Sequence, residues 1–267
     1  MSWQISTFAE LMALESHGPD TFVGVGPDYP WGRVYGGQVV AQALRAAATT
    51  VDAEFSVHSL HAYFIRGGDF DEPIRYEVDH IRNGRSFVTR RVIARQSEGA
   101  ILNISASFQR SEDEADVQTQ HLDQALAGPS DIQSDNDMWT TLFDRRWAQL
   151  GNDEGRSAAW LKISEDLGAD PVMHACALAY LSDDLPTDAV YGSHPSHERG
   201  DLDSLIGASL DHAIWFHRAQ PVDDWQLHDF SAHGLRGGRG LSVGQVFTTQ
   251  GLHVATMVQE VLVREKR

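Results

Sequence analysis

The sequence is poor in cysteine, in basic residues and in long hydrophobic runs. Cys176 is the one cysteine among 267 residues, so no internal disulfide can form and we expect a protein of the reducing cytoplasm. Only 21 lysines and arginines accompany 38 acidic residues, and the net charge of −17 argues against general nucleic-acid binding. No apolar run approaches the roughly 20 residues that span a bilayer, so we expect no membrane insertion.

A secretory signal is not expected, because the first residues contain no basic cluster followed by an apolar stretch. The opening sequence, MSWQISTFAELMALES, has instead the pattern of a short amphipathic helix. A hydrophobic fraction of 42% with ordinary glycine and proline content is typical of a globular protein. The length suits one large domain or two domains of roughly 130 residues each.

Two stretches of the sequence share an order of features, one beginning at His61 and the other at His212. Each opens with His-Ala and an aromatic-rich strand and continues through an acidic turn and an Arg/Gly hairpin, RNGR or RGGR. Each ends on a strand that contains a glutamine, Gln109 or Gln259. Internal duplication explains this order better than the alternative, a chance similarity between two β-rich stretches.

Each copy is predicted to hold one helix and then antiparallel strands, which is an α+β arrangement. In the first copy the alanine-rich residues 36–50 predict the helix, and the strands are predicted over 56–66, 73–82, 85–97 and 100–110. In the second copy Asp170 followed by Pro171 is a good helix start. This helix runs through VMHACALAYLSDD, and a proline-containing loop over 185–204 and strands from 205 onwards follow.

The segment between the copies, residues 111–137, is acidic, poor in aromatic residues and bracketed by turn residues, as a linker is. We therefore divide the chain into a first unit over 1–112, a linker over 113–137 and a second unit over 138–267. The first predicted helix contains no acidic residue, whereas the second ends on Asp183 and Asp184. We expect the first unit to be a scaffold and the second to carry the chemistry.

Asp183 is the acidic residue whose position is most informative. It shares one helical face with three small or apolar residues, Val172, Cys176 and Ala179, because the spacings are four, three and four. A carboxylate on an inward-facing apolar surface is costly unless it is hydrogen-bonded or functional. The alternative is that the helix ends before Asp183, which then lies in a solvated turn with Asp184.

The stretch SLDHAIWFHR raises the question of a hydrolase triad, because Ser209, Asp211 and His212 are so close in sequence. No Gly-x-Ser-x-Gly elbow surrounds Ser209, and Asp211 and His212 alternate across a strand, so they point to opposite faces. We interpret Asp211 and His212 as structural. The histidine pairs in HSLH and HPSHER do not favour a zinc site, and no metal or other cofactor is expected.

Several motifs together carry a resemblance to a known family. They are VYGGQVVAQAL, VHSLHAYFIRGGD, RNGRSFVTRRV and SFQ in the first half and SLDHAIWFHR, GLHVAT and VQE in the second. From about Ala9 to Arg264 the chain resembles the type II acyl-CoA thioesterases (TesB-like). The resemblance implies a double hotdog, in which two fused units each wrap an antiparallel sheet around a helix.

The resemblance also implies a catalytic trio that holds the attacking water. The matching residues are Asp183 as the base and Ser209 and Gln259 as the groups that position the water. Ser209 stands where the family more often has threonine, and it keeps the hydroxyl. Backbone N–H groups of Gly36 and Gly37 are our candidates to hold the carbonyl oxygen, and His58 is a further candidate to contact substrate.

The function that this implies is the hydrolysis of fatty acyl-CoA to free fatty acid and CoA, in a homodimer or a higher homo-oligomer. Two alternatives from other classes stay open. One is a hotdog acyl-CoA hydratase or dehydratase, which would pair an acid with a histidine. The other is a non-catalytic acyl-CoA-binding protein. The loop after Asp183 diverges from the family, so the preferred acyl chain length is left undetermined.

Overall fold

One antiparallel sheet forms the body of the protein. The structure, a computed structural model, describes residues 3–149, 155–198 and 204–266. Within these ranges the sheet has 13 strands, and all of its strand pairs are antiparallel. No helix in the described part is long and apolar enough to cross a membrane.

The first half of the chain forms one side of the sheet. Its helices are α1 (Phe8–Leu11) and α2 (Gly36–Thr49). Its strands are β1 (Glu15–Ser16), β2 (Thr21–Gly24), β3 (Phe55–Phe64), β4 (Ile74–Asn83), β5 (Phe87–Gln96) and β6 (Gly99–Arg110). From the sheet edge inwards their order is β1-β2-β4-β5-β6-β3.

The second half forms the other side. Its helices are α3 (Pro171–Leu181), α4 (Pro186–Gly192) and α5 (Pro195–Glu198). Its strands are β7 (Phe143–Gln149), β8 (Arg156–Ile163), β9 (Leu205–Ser209), β10 (Asp211–Phe216), β11 (Gln226–Arg236), β12 (Arg239–Thr248) and β13 (His253–Glu265). The order is β10-β13-β12-β11-β8-β7, and β9 pairs with the far end of β13.

The two halves have the same strand order. Counted outwards from the centre, β3-β6-β5-β4-β2 in the first half corresponds to β10-β13-β12-β11-β8 in the second. The central strands β3 and β10 pair with each other, with Leu60 opposite Ile214 and Ala62 opposite His212. The expected α+β double hotdog is therefore confirmed, and the shared order supports an internal duplication.

Helices α2 and α3 pack closely against each other and share one apolar core with the sheet. Gly37 allows this approach, because a Cβ atom there would lie 2.4 Å from the carbonyl oxygen of Tyr180. The Tyr35 hydroxyl donates to that same carbonyl oxygen at 2.9 Å. This contact brings the start of α2 to the end of α3, where the acidic residues of the second helix lie.

The segment between the halves is packed rather than detached. Its apolar side chains Leu122, Leu126 and Ile132 lie against Ala158, Trp160 and Leu227, which form a small separate cluster of apolar residues. The Trp160 indole N–H also donates to the carbonyl oxygen of Ala127 at 2.9 Å. The unit boundaries at 112 and 137 stay a prediction, but burial of these side chains explains why an acidic segment holds a defined path.

Several element boundaries differ from those predicted. The N-terminal helix is a single turn, since α1 begins after the N-cap Thr7 and ends at Leu11. Helix α3 has the predicted start, with the Asp170 side chain accepting from the Val172 N–H, but it ends at Leu181. The expected loop over 185–204 instead contains α4 and α5, each of which begins at a proline, and its residues 199–203 lie outside the described part. Strands β7 and β8 have no counterpart in the sequence prediction.

The alignment of the repeats that begins at His61 and His212 is wrong by one residue. Counted from Phe64 and Phe216, which end β3 and β10, His212 corresponds to Leu60. His61 is exposed and packs edge-on against Trp215, whereas His212 and Leu60 are buried. A shift of one residue along a strand moves a side chain to the other face, so these two histidines have different environments.

The two glutamines are likewise not equivalent. Gln259 is fully buried, whereas Gln109 lies near the end of β6, is half-buried and donates to Glu112 at 3.4 Å. The inequality that we expect between the two halves therefore extends beyond the missing acid of the first helix.

Candidate active site

Asp183 lies just beyond the end of α3, and its carboxylate is buried. Ser182 caps the helix, and only 8% of Asp183 is exposed. The alternative interpretation correctly predicted that the helix ends before Asp183, but it wrongly predicted that Asp183 is solvated. The neighbouring Asp184 accepts from Arg145 at 2.8 Å and from the indole N–H of Trp139 at 3.3 Å, so it is also held within the protein.

Asp183, Ser209 and Gln259 are in direct hydrogen-bond contact. The Ser209 hydroxyl donates to Asp183 Oδ1 at 2.9 Å, and Gln259 Nε2 donates to Ser209 Oγ at 2.8 Å. Ser209 ends β9 and is paired with Val261 of β13, two residues beyond Gln259. Three separate elements, the end of α3, β9 and β13, thus bring the three predicted residues together.

The environment of Asp183 raises its pKa from 3.8 to about 6. Burial is the largest cause, and the nearby Asp184 carboxylate adds to it. Hydrogen bonds from Ser209, from Gln259 and from the Gly37 backbone N–H oppose the increase because they stabilise the charged form. A carboxyl group with a pKa of about 6 is charged at neutral pH and is a stronger base than an exposed aspartate.

The start of α2 lies directly against this carboxylate. A Cβ atom at Gly36 would lie 2.5 Å from Asp183 Oδ2, so only glycine leaves room for the observed arrangement. The free N–H groups of the first turn of a 14-residue helix carry a partial positive charge that favours an anion. Gly36 and Gly37 are therefore beside Asp183, with the Gly37 N–H engaged by the carboxylate itself.

A cavity of about 890 Å³ opens onto Asp183, Ser209 and Gly36. Its apolar wall is rich in aromatic rings and includes Trp31, Val34, Tyr35, Phe64, Ile101 and Trp139. The lining also includes charged side chains, among them Arg33, Arg66 and Asp188, and a cavity that combines an apolar wall with convergent polar groups is typical of a small-molecule site. It is large enough for an acyl group that reaches Asp183.

Arg145 is a further polar residue of the same cavity, and it was not identified from the sequence. Arg145 donates to Asp184 and also pairs with Asp135 at 2.8 Å, while its guanidinium group stacks over Trp147. Burial and the Asp184 carboxylate raise the pKa of the adjacent Asp188 to about 7, and Arg145 opposes that increase. Arg145 lies on β7, which the sequence prediction left unassigned, and no local motif marks it.

The structure does not bring His58 to this site. Its Nε2 lies 2.8 Å from Ser107 Oγ, and its ring packs edge-on against Phe87. His58 is absent from the lining of the cavity that contains Asp183 and borders a different cavity of about 650 Å³. The described residues also contain no group of three histidine, cysteine, aspartate or glutamate side chains arranged to hold a metal ion.

His212, interpreted as structural from the sequence, contacts the site. Its Nδ1 lies 2.5 Å from Oε1 of Gln259, and its ring is 1% exposed. Asp211 points the other way and accepts from the Glu260 backbone N–H at 2.7 Å, which fits the structural role. The alternation of side chains along the strand correctly predicts that Asp211 and His212 point to opposite faces. It could not indicate that His212, the inward-facing residue, contacts Gln259.

Comparison with known proteins decides the family. A profile described as the acyl-CoA thioesterase N-terminal domain matches residues 26–109, and one described as the C-terminal domain matches residues 113–263. The chain belongs to the type II acyl-CoA thioesterase (TesB-like) family. This is a family of acyl-CoA thioester hydrolases.

Individual relatives agree with this assignment. The thioesterase chain is 33% identical to "Acyl-CoA thioesterase 2" of Haemophilus influenzae over 99% of both sequences. It is also 33% identical to the crystal structure of acyl-CoA thioesterase II TesB2 from Mycobacterium marinum, with a TM-score of 0.83 and 97% of each chain covered. A hot dog fold protein of unknown function from Alicyclobacillus acidocaldarius, 18% identical with a TM-score of 0.77 and covering 97% of this chain and 98% of its own, shares the fold.

Proposed function

We propose that this thioesterase hydrolyses fatty acyl-CoA to free fatty acid and CoA by direct attack of a water molecule that Asp183 activates. The observation that carries the proposal is the contact of Asp183, Ser209 and Gln259, of which Asp183 and Ser209 line one cavity and Gln259 is buried behind Ser209. A thioester carbonyl is electrophilic enough for water to attack it without a covalent enzyme intermediate. The protein then has to orient the water, remove its proton and stabilise the oxyanion.

The two carboxylate oxygens of Asp183 face different groups. Oδ1 accepts the Ser209 hydroxyl proton, and Oδ2 faces Gly36 at the start of α2. In our mechanism the carboxylate takes one proton from water as the water oxygen bonds to the carbonyl carbon. Ser209 and Gln259 hold the carboxylate and the water in position during this step.

The carbonyl oxygen becomes an oxyanion when the tetrahedral intermediate forms. In our mechanism the Gly36 backbone N–H and the dipole of α2 stabilise it, because the Gly37 N–H interacts with Asp183 and is not free for this role. Collapse of the intermediate breaks the carbon–sulfur bond and releases CoA as a thiolate. The proton held by Asp183 then passes to the thiolate or to solvent, and the base is restored.

The acyl chain is proposed to lie along the aromatic wall of the cavity, where Trp31 and Trp139 contact each other edge-on. Apolar contact with such rings suits a hydrocarbon chain.

A homodimer is also proposed, because Tyr63 and Trp215 on the outer side of the central strands are 62% and 36% exposed and need cover. We further propose that the enzyme acts in the cytoplasm.

A release assay tests the function and separates it from the alternatives. The purified chain is incubated with acyl-CoA esters of increasing length, and free CoA is followed with a thiol reagent. We expect CoA release in the folded wild-type protein and a large loss in a folded Asp183→Asn variant. Hydration of an enoyl-CoA without CoA release would favour a hydratase, and tight acyl-CoA binding without any turnover would favour a binding protein.

A further inference from the structure

The hydrogen-bond contacts of the trio continue beyond Gln259 into the core. Oε1 of Gln259 meets Nδ1 of His212 at 2.5 Å, and Nε2 of His212 meets the Ser182 hydroxyl at 2.7 Å. Gln259, His212 and Ser182 are at most 1% exposed. A buried chain of polar groups therefore runs from Ser182 to Asp183, two residues adjacent in sequence, by way of three strands of the sheet, β10, β13 and β9.

The direction of hydrogen bonding along this chain is determined by which atom of the Gln259 amide faces Ser209. Ser209 has one proton, and it donates that proton to Asp183 only if Gln259 presents its NH₂ group rather than its oxygen. With the NH₂ group toward Ser209, Oε1 faces His212 and needs a donor there. If the Gln259 amide were rotated by 180°, its oxygen would accept the Ser209 proton, and Asp183 would lose the hydrogen bond from Ser209.

The imidazole of His212 can supply that donor. Burial lowers its pKa to about 4, so the ring is neutral at physiological pH and carries a single N–H. A proton on Nδ1 satisfies Gln259 Oε1 and leaves Nε2 as an acceptor for the Ser182 hydroxyl. That hydroxyl also lies 2.8 Å from the carbonyl oxygen of Ala179, which competes for its proton.

We propose that His212 is a positioning residue for the hydrolysis: its Nδ1–H fixes the orientation of the Gln259 amide, so that Ser209 donates to Asp183. This role rests on the proposed function, because it matters to turnover only if Asp183 is the base. His212 itself does not touch the reacting atoms.

The consequence for Asp183 has a definite sign. The Ser209 and Gln259 hydrogen bonds both lower the pKa of Asp183, so losing the fixed orientation removes support for its charged form. Among the described residues, the other titratable groups that act on Asp183 are Asp184 beside it and the Tyr35 phenol at the start of α2. Neither belongs to the His212 chain, so a change at His212 leaves both in place.

Three substitutions at one position test the proposal. His212→Asn keeps an amide nitrogen near the position of Nδ1, His212→Gln places its amide near the position of Nε2, and His212→Leu removes both nitrogens. We expect the Leu and Gln variants to lose about tenfold in kcat with KM nearly unchanged, the scale of one buried hydrogen bond. The acid limb of their kcat/KM profile should move to higher pH, and His212→Asn should recover most of both changes.

The matched control is another fully buried histidine of the same sheet. Neither ring nitrogen of His228 has a hydrogen-bond partner among the residues that the structure describes, and burial lowers its pKa to about 3. The same three substitutions at His228 should change the melting temperature alone. Equal loss of kcat in all three His212 variants, with an unmoved acid limb, would overturn the proposal and leave only a packing role.

A readout independent of turnover separates this proposal from the proposed function. NMR of isotope-labelled histidine should show His212 neutral and protonated on Nδ1 in the wild-type protein, and labelled aspartate should report a higher Asp183 pKa in the Leu variant. The Nε2–H tautomer in the folded wild type would overturn the proposal even if the enzyme is fully active. Full activity of Asp183→Asn would refute the mechanism instead, whatever the tautomer.

Discussion

Replacing Asp183 with asparagine should have opposite effects on turnover and on stability. The carboxylate is held at a pKa of about 6, against an ordinary value of 3.8, chiefly because it is buried. Above pH 6 the folded protein therefore carries a charge that the unfolded chain holds more easily in water. Asparagine removes the charge and, with it, both the base and this cost of folding.

The sign and size of the stability effect follow from linkage. An aspartate whose folded pKa is raised contributes most to stability when it is protonated, and this contribution is lost as the pH rises through the folded pKa. With values of 3.8 and about 6, the loss is about 2 kcal/mol at pH 5 and about 3 kcal/mol at pH 8. The difference in unfolding free energy between Asp183→Asn and wild type should thus become more favourable to the variant by about 1 kcal/mol from pH 5 to pH 8.

Turnover should follow the same titration. A base with a pKa of about 6 is about one tenth deprotonated at pH 5 and about nine tenths deprotonated at pH 7. Wild-type kcat/KM should therefore fall by about tenfold from pH 7 to pH 5. Asp183→Asn should lose roughly two or more orders of magnitude in kcat, and its residual rate should no longer show this acid limb.

Two measurements on one pair of proteins check the reasoning. Denaturant unfolding of both proteins at pH 5 and pH 8 gives the free-energy differences, and comparing those differences cancels every effect of the amide that is independent of pH. CoA release over the same range gives the rate profile. An unfolding difference that does not change with pH would show that Asp183 is not buried as a charge, and near wild-type turnover in the variant would refute its role as base.

The other predictions concern the partners of Asp183 and the assembly. Gln259→Ala should lower kcat by roughly ten- to a hundredfold, whereas Gln109→Ala should leave kcat nearly unchanged; equal losses would mean that both halves are catalytic. Gly36→Ala should lower kcat on the order of 10- to 100-fold with the fold intact, because the new methyl group displaces Asp183 Oδ2; an unchanged rate would place the reaction elsewhere. Light scattering at micromolar concentration should report a dimer or larger assembly, and a monomer would contradict the expected pairing of exposed sheet surfaces.

Local sequence patterns predicted the main helices and the strands of the first half. The alanine-rich run after Gly36 forms a helix that ends at Thr49, and Asp170 caps the second helix as its side chain and the following proline predict. The four strands predicted for the first half lie within two residues of their observed ends. Propensity, capping and hairpin chemistry act over a few residues, so they can be evaluated without knowledge of the distant chain.

The candidate site was decided at longer range. Ser209 lies 26 residues from Asp183, and Gln259 lies 50 residues from Ser209, so no local rule relates them. The resemblance to a family named all three residues, but it could not show that they touch. Their contact depends on the packing of α3 against the sheet and on the pairing of β9 with β13.

The sequence by itself determined which groups are available: two adjacent acids at the end of the second helix, a hydroxyl before β10 and a glutamine in the last strand. Only the tertiary structure decided that the acid is buried with a raised pKa, that His212 rather than His58 meets the glutamine, and that Arg145 pairs with Asp184. The physical reason is that burial and strand register are properties of the whole sheet. A shift of one residue, invisible in composition, exchanges the buried face of a strand for the exposed one.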